Sequence, residues 1–237
     1  MAAGDDRPVR AAAGILAAGA VAYWLPATAL VFPPARRVFG VRAHVDEPDA
    51  VALTFDDGPH PDGTPRMLDL LARAGARATF FLVGEQVERR PSLAAEIVAA
   101  GHEVAVHCHR HRNLMRVTPA RTRADLDRAA AAVADAAGVE PRRYRPPYGI
   151  LTAPALRHAR RLGWETVLWR RDGRDWEAAA TPASIAGRLL GRARAGDVLL
   201  LHDADWYSAP GSWRRTAGAL ELVLVRLAER GLRVAPL

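Results

Sequence analysis

The sequence predicts an α/β domain built on a parallel sheet, and two observations support this. Short apolar runs of strand length alternate with amphipathic segments of helix length, and several of these segments begin after a capping residue and end at glycine. The chain has 237 residues, half of them apolar, which is enough for one sizeable core. Such repetition gives either a barrel or a doubly wound sheet, and in both folds ligands meet the carboxyl ends of the strands.

Each element has a local signal. Buried strands are predicted at the apolar runs 51–55, 78–83, 103–106, 166–169, 198–201 and 233–235. Helices are predicted at 65–74, 91–100, 119–137, 153–162, 182–193 and 217–230. Thr118 and Thr181 stand directly before prolines, the arrangement of a helix cap followed by proline in the first turn. Glycines follow several of the helices: Gly75, Gly101, Gly138, Gly163 and Gly231.

The composition excludes several kinds of function. The formal net charge is +7, but the basic residues are arginines scattered among acidic residues without a basic stripe, so nucleic-acid binding is not expected. The chain has no lysine, which excludes a P-loop, a Schiff base and a pyridoxal anchor. Cys108 is the only cysteine, so neither an intrachain disulfide nor a thiolate zinc cluster can form.

Residues 11–32 contain no charged side chain and predict an N-terminal membrane anchor, which a linker joins to a catalytic part at 41–237. Two arginines precede the run and two follow it: Arg7, Arg10, Arg36 and Arg37. The first pair favours export of the catalytic part and the second pair favours the cytoplasm, so the orientation stays open. The alternatives are a cleaved signal peptide, with Ala27-Thr28-Ala29 as the cleavage site and a secreted product, and a buried or interfacial helix.

Charged side chains gather where predicted strands end. The stretch "TFDDGPHP" places Asp56 and Asp57 after the first strand, and "HCHRH" places His107 and His111 after the third. Two histidines four residues apart share one face of a helical turn, and with one carboxylate they make a three-ligand site that is typical of catalytic zinc. If Asp57 binds a dication, Asp56 can stay ionised beside it as a base for the metal's water.

Three further stretches follow in order: "RPPYG" at 145–149, "DGRDW" at 172–176 and "LLHD" at 200–203. Together the five motifs resemble those of the polysaccharide deacetylases with a NodB-type catalytic domain, carbohydrate esterase family 4, from about residue 51 to the C-terminus. The resemblance implies a distorted (β/α) barrel that removes acetyl groups from sugars, most often N-acetylglucosamine units. It also implies a divalent metal ion, zinc first, with Co²⁺ or another divalent ion as the alternative.

The resemblance also assigns the metal and the base. It implies that Asp57, His107 and His111 hold the metal ion and that Asp56 is the general base. Arg145 would orient Asp56 through a charge-assisted bond and hold the pKa of that carboxyl down.

The acid and the substrate pocket come from the last three motifs. The resemblance implies that His202 protonates the departing amine, while Asp175 pairs with the imidazole and keeps it charged near neutral pH. Trp176 and Leu200 resemble residues that wall the pocket for the acetyl methyl group, and Tyr148 is assigned with them to substrate binding. Asp172 and Asp203 belong to the motifs as well, either as structural residues or as residues that support the site.

Some features depart from the family pattern or leave the substrate open. Cys108 stands where the family usually has serine or threonine, and it is not expected to share an ion with the adjacent His107. The aromatic loop at 204–215 contains Trp206, Tyr207 and Trp213, which would bind sugar faces, cover the end of the barrel or touch a membrane. The substrates that fit are peptidoglycan, chitooligosaccharides and lipid-linked amino sugars. An O-acetyl esterase acting on xylan and a catalytically silent glycan-binding member are the alternatives.

Overall fold

The computed structural model describes residue 19 and residues 21–237. One nine-stranded sheet organises this part of the chain, and all its strand pairings are parallel, which confirms the predicted fold class. The strands are β1 Val41–Arg42, β2 Ala50–Asp56, β3 Thr79–Leu82, β4 Glu103–Val106, β5 Arg143–Tyr144, β6 Glu165–Val167, β7 Arg171–Asp172, β8 Val198–His202 and β9 Arg233–Ala235. Their order across the sheet is β1-β6-β5-β4-β3-β2-β8-β7, and β9 pairs with the first half of β2.

Helices connect most of these strands. The α-helices are α1 Pro33–Val38, α2 Gly63–Arg73, α3 Gly84–Arg89, α4 Pro91–Ala99, α5 Pro119–Ala137, α6 Ala153–Arg161, α7 Pro182–Leu190 and α8 Ser212–Glu229. Short 3₁₀ helices lie at Leu25–Leu30, Leu114–Arg116 and Pro147–Gly149. The predicted caps are confirmed, because the Thr118 hydroxyl accepts from the Arg121 amide and the Thr181 hydroxyl accepts from the Ser184 amide.

The sheet curls into a half-barrel. His44 forms an isolated antiparallel bridge with Asp197, and the Val45 amide donates to the Gly196 carbonyl at 3.0 Å. These contacts bring the segment after β1 against the start of β8, near the opposite end of the strand order. The concave interior is filled by a small apolar cluster of Val45, Ala52, Phe81, Ala105, Val167 and Val198. The main core lies between the sheet and the helices, and β2 is buried at every position because both of its faces are covered.

The prediction of an N-terminal membrane segment is not supported. Residues 1–18 and 20 lie outside the described residues, and none of the helices described is both long and apolar enough to span a bilayer. Pro26 and Pro33 each stand at the start of a separate short helix, so the apolar run is divided. The segment also contacts the domain: the Tyr23 hydroxyl donates to the Val117 carbonyl at 2.6 Å. Sidedness and signal cleavage, as well as the division at residue 40, stay predictions.

Several boundaries differ from the sequence predictions. The strand expected at 166–169 runs instead from Glu165 to Val167, and α8 begins at Ser212 rather than at residue 217. Trp213 therefore lies in the first turn of a helix and not in a loop. The two-residue strands β1, β5 and β7 were not predicted, nor were the six-residue helices α1 and α3.

Candidate active site

The predicted site residues meet at one edge of the sheet. Asp56 ends β2 and His202 ends β8, and the two are paired in register across the parallel ladder. His107 follows β4 directly, and Arg145 follows β5, the neighbour of β4. The fourth motif begins at Asp172, the last residue of β7, which pairs with β8. The carboxyl ends of parallel strands share an edge, so all five motifs converge there through strand order alone.

Asp57, His107 and His111 form a group that could hold a metal ion. One ligand atom from each residue lies within 4.8 Å of the others. Oδ1 of Asp57 is 3.6 Å from Nε2 of His107 and 3.3 Å from Nε2 of His111. A tetrahedral zinc with bonds of roughly 2.0 Å separates its ligand atoms by about 3.3 Å, so the spacing fits. Within residues 21–237, Oδ1 of Asp57 is buried without a hydrogen-bond partner, which is the state expected of a metal ligand.

Burial sets the charge of the three ligands. It lowers the pKa of His107 to about 3 and that of His111 to about 2, so both imidazoles are neutral at pH 7, the form that binds a metal. Burial also raises the pKa of Asp57 to about 7; the charge of His202 opposes this shift and the carboxylate of Asp56 adds to it. A dication beside Asp57 would favour its ionised form.

The imidazole of His107 is oriented by a backbone carbonyl. Its Nδ1 lies 2.8 Å from the carbonyl oxygen of Arg145, which can only accept, so Nδ1 carries the proton. Nε2 is then the free lone pair and faces Asp57 at 3.6 Å. This is the usual way in which a ligating histidine is held in one tautomer.

Asp56 is held by Arg145, as predicted. Nη1 of Arg145 donates to Oδ1 of Asp56 at 2.6 Å and to the Thr54 hydroxyl at 2.9 Å. The guanidinium is fully buried and lies 4.0 Å above the centre of the Phe81 ring. Arg145 lowers the pKa of Asp56, as predicted, but it does not set the net direction of the shift. Burial raises the pKa of Asp56, and the charge of Arg145 offsets this only in part.

His202 and Asp175 form the predicted pair. Nδ1 of His202 lies 2.9 Å from Oδ1 of Asp175, while Oδ2 of Asp175 accepts from the His202 amide at 2.7 Å and from the Thr216 hydroxyl at 2.8 Å. Burial disfavours the imidazolium, but the charge of Asp175 and the hydrogen bond to it outweigh burial with help from Asp57 and Asp56. The pKa of His202 therefore rises to about 10.

Two of the three predicted substrate residues, Tyr148 and Trp176, contact the metal group or the acid through their rings. Tyr148 is 52% exposed, and its ring meets His111 edge-on at 4.5 Å between centroids. The ring of Trp176 stands perpendicular to His202 at 5.4 Å. Leu200 is buried in β8 two residues before His202, so both side chains point to the same side of the sheet. Their positions are compatible with a small pocket beside the ligands and the acid.

Backbone strain concentrates at the same edge. Within residues 21–237, four residues other than glycine have positive φ: Asp57 at 78°, Cys108 at 64°, Tyr148 at 59° and Arg174 at 48°. They lie in the first, second, third and fourth motifs. Such conformations cost on the order of 1–3 kcal/mol each and persist where surrounding contacts fix them, which is common at functional sites.

Three further motif residues form contacts with residues outside the ligand group: Asp203, Asp172 and Cys108. Oδ2 of Asp203 accepts from the Thr64 hydroxyl, and its carboxylate packs against Gly58 in the turn after Asp57. Asp172 accepts from Nε1 of Trp169 at 3.3 Å. Sγ of Cys108 is buried 3.7 Å from the Tyr144 hydroxyl and is not part of the ligand group.

The aromatic segment at 204–215 contacts the first motif, residues 54–61. Nε1 of Trp206 donates to the Pro59 carbonyl at 3.3 Å, and its ring lies 4.6 Å from that of His60. Trp213 approaches the same imidazole at 5.6 Å. Tyr207 stacks on His111, with 4.3 Å between the ring centroids. Of the uses predicted for these aromatic residues, covering this end of the sheet is the one that the contacts match.

Sequence reasoning missed three residues that contact the site. Thr54 bonds to Arg145, and Thr216 bonds to Asp175. Tyr207 was predicted as part of the aromatic loop, but its stacking on His111 was not predicted. Thr54 had a weak signal, because it is a hydroxyl within an apolar strand. Thr216 is one of several polar residues at the start of its helix and had none.

The comparisons with known proteins agree with this geometry. The family model for polysaccharide deacetylases matches residues 44–167, more than half of the chain. The chain belongs to the polysaccharide deacetylase family. The resemblance inferred from the five motifs is thereby confirmed, and the protein is a hydrolase of this family.

Two relatives and one solved structure are similar to this polysaccharide deacetylase over most of its length. A chitooligosaccharide deacetylase of Bradyrhizobium sp. (strain ANU 289) is 37% identical over 198 residues, which cover 79% of this chain and 89% of the relative. A peptidoglycan-N-acetylglucosamine deacetylase of Bacillus cereus is 35% identical, covering 77% of this chain and 84% of the relative. The crystal structure of the Bc1960 peptidoglycan N-acetylglucosamine deacetylase superposes with a TM-score of 0.77 at 30% identity, covering 83% of this chain and 90% of that one.

Proposed function

We propose that the protein removes acetyl groups from N-acetylglucosamine units of an envelope glycan, using a divalent cation held by Asp57, His107 and His111. The observation that carries the proposal is the spacing of 3.3 Å and 3.6 Å from one buried carboxylate oxygen to two neutral imidazoles. The relatives described above act on peptidoglycan and chitooligosaccharides by name, which supports this class of substrate. Lipid-linked amino sugars present the same acetamido group.

The donor set suits zinc. One carboxylate and two imidazoles leave a fourth position open, as in catalytic zinc sites, and the same donors accept Co²⁺. When bound, the cation supplies a Lewis acid for the acetyl oxygen and lowers the pKa of a water molecule. The chain contributes neutral imidazoles and a buried acid, so no proton has to leave the histidines when a metal binds at pH 7.

Asp56 is the base in this proposal. Arg145 occupies Oδ1 of Asp56 at 2.6 Å and leaves Oδ2, which lies 3.8 Å from Nε2 of His107, free to take a proton. The attacking water gives that proton to Oδ2 as its oxygen bonds to the acetyl carbon.

His202 is the acid. Asp175 accepts from Nδ1 of His202, so the proton on Nε2 is available for the sugar nitrogen. With a pKa of about 10, the imidazole enters the reaction charged. As the carbon–nitrogen bond breaks, Nε2 protonates the nitrogen, and acetate and a free amino sugar leave. Trp176 and Leu200 would border the methyl group, and Tyr148 would contact the sugar.

The cellular location follows from the substrate. Peptidoglycan lies outside the cytoplasmic membrane, so the proposal places the catalytic domain there. The proposal does not depend on attachment through the N-terminal segment, which the described helices do not support.

Acetate release by the purified full chain tests the proposal. We expect acetate from N-acetylglucosamine oligomers or peptidoglycan, loss of release with a chelator, and recovery with Zn²⁺ or Co²⁺. Release from acetylxylan alone would identify an O-acetyl esterase instead. If the metal-loaded protein releases no acetate from any glycan tested, including lipid-linked amino sugars, the protein is a catalytically silent, glycan-binding member of the family. Replacement of Asp57, His107 and His111 together by alanine should abolish release.

A further inference from the structure

The two histidines of the metal group are held in different ways. Nδ1 of His107 donates to the Arg145 carbonyl at 2.8 Å, whereas Nδ1 of His111 is buried and has no hydrogen-bond partner within residues 21–237. Metal-ligating histidines usually donate their second ring nitrogen to an oxygen, which fixes the tautomer and the direction of the ring. Nδ1 of His111 makes no such bond to another described residue, so the ring contacts of His111 are the observations that bear on the direction of its Nε2.

Two tyrosines contact the His111 ring. Tyr207 stacks on it almost in parallel, with 4.3 Å between centroids and 13° between planes. Tyr148 meets it edge-on, with 4.5 Å between centroids and 64° between planes. Tyr148 is more than half exposed, so it is the weaker constraint of the two. A stacked ring resists rotation of the imidazole out of its plane, which is the motion that would carry Nε2 away from Asp57.

Tyr207 is itself fixed at its hydroxyl. This group donates to Oε1 of Glu85 at 2.9 Å and accepts from Nε2 of Gln86 at 3.2 Å. Both partners lie in the first turn of α3, which only Val83 separates from β3. The ring is therefore attached at one end to the loop after β8 and at the other end to a helix.

The same turn of α3 also holds the loop that carries His111. The Gly84 amide donates to the Cys108 carbonyl at 2.9 Å, and the Glu85 amide donates to the His109 carbonyl at 2.9 Å. One short helix thus fixes both the backbone that precedes His111 and the ring that stacks on it. The distance between Tyr207 and His111 is consequently set by direct bonds.

We propose that Tyr207 is a positioning residue that keeps the imidazole of His111 in its metal-binding orientation by ring stacking, where His107 uses a hydrogen bond. Glu85 and Gln86 hold Tyr207 in place. This inference rests on the proposed function in one respect only, which is that Asp57, His107 and His111 bind a divalent cation.

Co²⁺ binding to the full chain tests this role without reference to activity. The affinity is measured by competition with a chromophoric chelator, and the visible absorption spectrum reports the ligand geometry. Tyr207→Leu removes the stacked ring, and Tyr207→Phe keeps the ring but loses both hydroxyl bonds. Tyr23→Phe is the matched control, because the hydrogen bonds of its hydroxyl within the described part of the chain go to backbone carbonyls of the 114–117 segment.

We expect Tyr207→Leu to weaken Co²⁺ binding by roughly 10-fold to 100-fold, the range found when groups that orient metal ligands are removed, and to change the spectrum. Tyr207→Phe should retain the spectrum and lose less affinity, and Tyr23→Phe should bind as the wild type does. Wild-type affinity with an unchanged spectrum in Tyr207→Leu would overturn the proposal.

The thermal midpoint of each metal-free variant is measured in parallel. If Tyr207→Leu does not fold, the Glu85→Ala, Gln86→Ala double variant decides, because it frees the ring without removing it. Weaker Co²⁺ binding by that variant supports the proposal, and wild-type binding overturns it. A wild-type protein that does not bind Co²⁺ would instead contradict the metal site and with it the proposed function.

Discussion

Arg145 and Asp56 form a buried ion pair with 2.6 Å between Nη1 and Oδ1. Burial raises the pKa of Asp56, and the charge of Arg145 is the largest opposing influence. The arginine therefore serves two purposes: it keeps a buried carboxyl ionisable, and it leaves only Oδ2 free to accept a proton. Its own burial is offset in part, because Nη1 and Nε donate to the carboxylate, the Thr54 hydroxyl and the Val167 carbonyl, whereas Nη2 is buried without a partner among residues 21–237.

Replacement of Arg145 by glutamine should raise the pKa of Asp56 further. Since a base must be ionised, we expect the acidic limb of the kcat/KM profile to move to higher pH and kcat/KM at pH 7 to fall by about 10²–10⁴. Breaking a buried pair by removing one partner also costs about 3–5 kcal/mol of stability. The measurements are a pH–rate profile and denaturant unfolding.

Arg143→Gln is a matched control, since that arginine precedes the motif and pairs with Glu103 and Glu165 away from Asp56. An acidic limb that stays in place in Arg145→Gln would contradict the role given to the ion pair.

Replacement of Asp175 by asparagine should lower the pKa of His202. The pKa of this imidazole is about 10, and Asp175 is the largest influence that raises it. An acid must be protonated, so the basic limb of the kcat/KM profile should move to lower pH and activity at pH 8 should fall most. Asp172→Asn is the control within the same motif, because Asp172 bonds to Trp169 and not to His202.

The raised pKa of His202 also predicts that the stability of the fold depends on pH. The folded-state pKa of His202 lies above its unfolded value of about 6.5, so the pair stabilises the fold fully below that pH and loses its contribution as pH rises toward 10. The free energy of unfolding lost in Asp175→Asn should therefore be larger at pH 6 than at pH 10. An equal loss at both values would contradict this account.

The sequence predicted the sheet and most of the site because both depend on local signals. Proline after a threonine cap predicts a helix start from a few residues, as in α5 and α7, and Gly138 marks the end of α5 in the same way. Convergence of the motifs then follows from the rule that parallel strands share their carboxyl edge. The burial of Asp56 was not predictable in this way, because it depends on the curl of the whole sheet.

The missed features depend on distant partners. β5 has two residues, too few for a periodic pattern, and its position is set by pairing with β4 and β6. Thr54 and Arg145 are 91 residues apart in the chain, so no spacing rule connects them. At the N-terminus, hydropathy alone cannot distinguish a bilayer from the domain's own surface.

Metal affinity should depend on the ionisation of Asp57 and not on the histidines. The pKa of Asp57 is about 7, whereas those of His107 and His111 lie near 3 and 2, so one proton competes with the metal as pH falls below 7. We expect Zn²⁺ affinity to fall about tenfold per pH unit between pH 6.5 and pH 5. Chelator competition at several pH values measures this dependence.

Asp57→Asn removes the titrating group and is the informative comparison. The Zn²⁺ affinity of this variant should be lower than that of the wild type at pH 8, and it should change less between pH 6.5 and pH 5. A slope of two or more protons in the wild type would contradict the assignment of the pH dependence to Asp57 alone.

A methyl group at position 58 should be far more damaging than one at position 187. A Cβ on Gly58 would meet the carboxylate of Asp203, which the Thr64 hydroxyl holds in place, whereas a Cβ on Gly187 in α7 has no neighbour within 4 Å. We expect Gly58→Ala to lose about 1–3 kcal/mol of unfolding free energy through overpacking, and Gly187→Ala to gain about 0.5–1 kcal/mol through helix propensity. Because Gly58 follows Asp57 directly, Gly58→Ala should also weaken Co²⁺ binding, and Gly187→Ala should leave it unchanged. Equal stability of the two variants would contradict the packing of Asp203 beneath this turn.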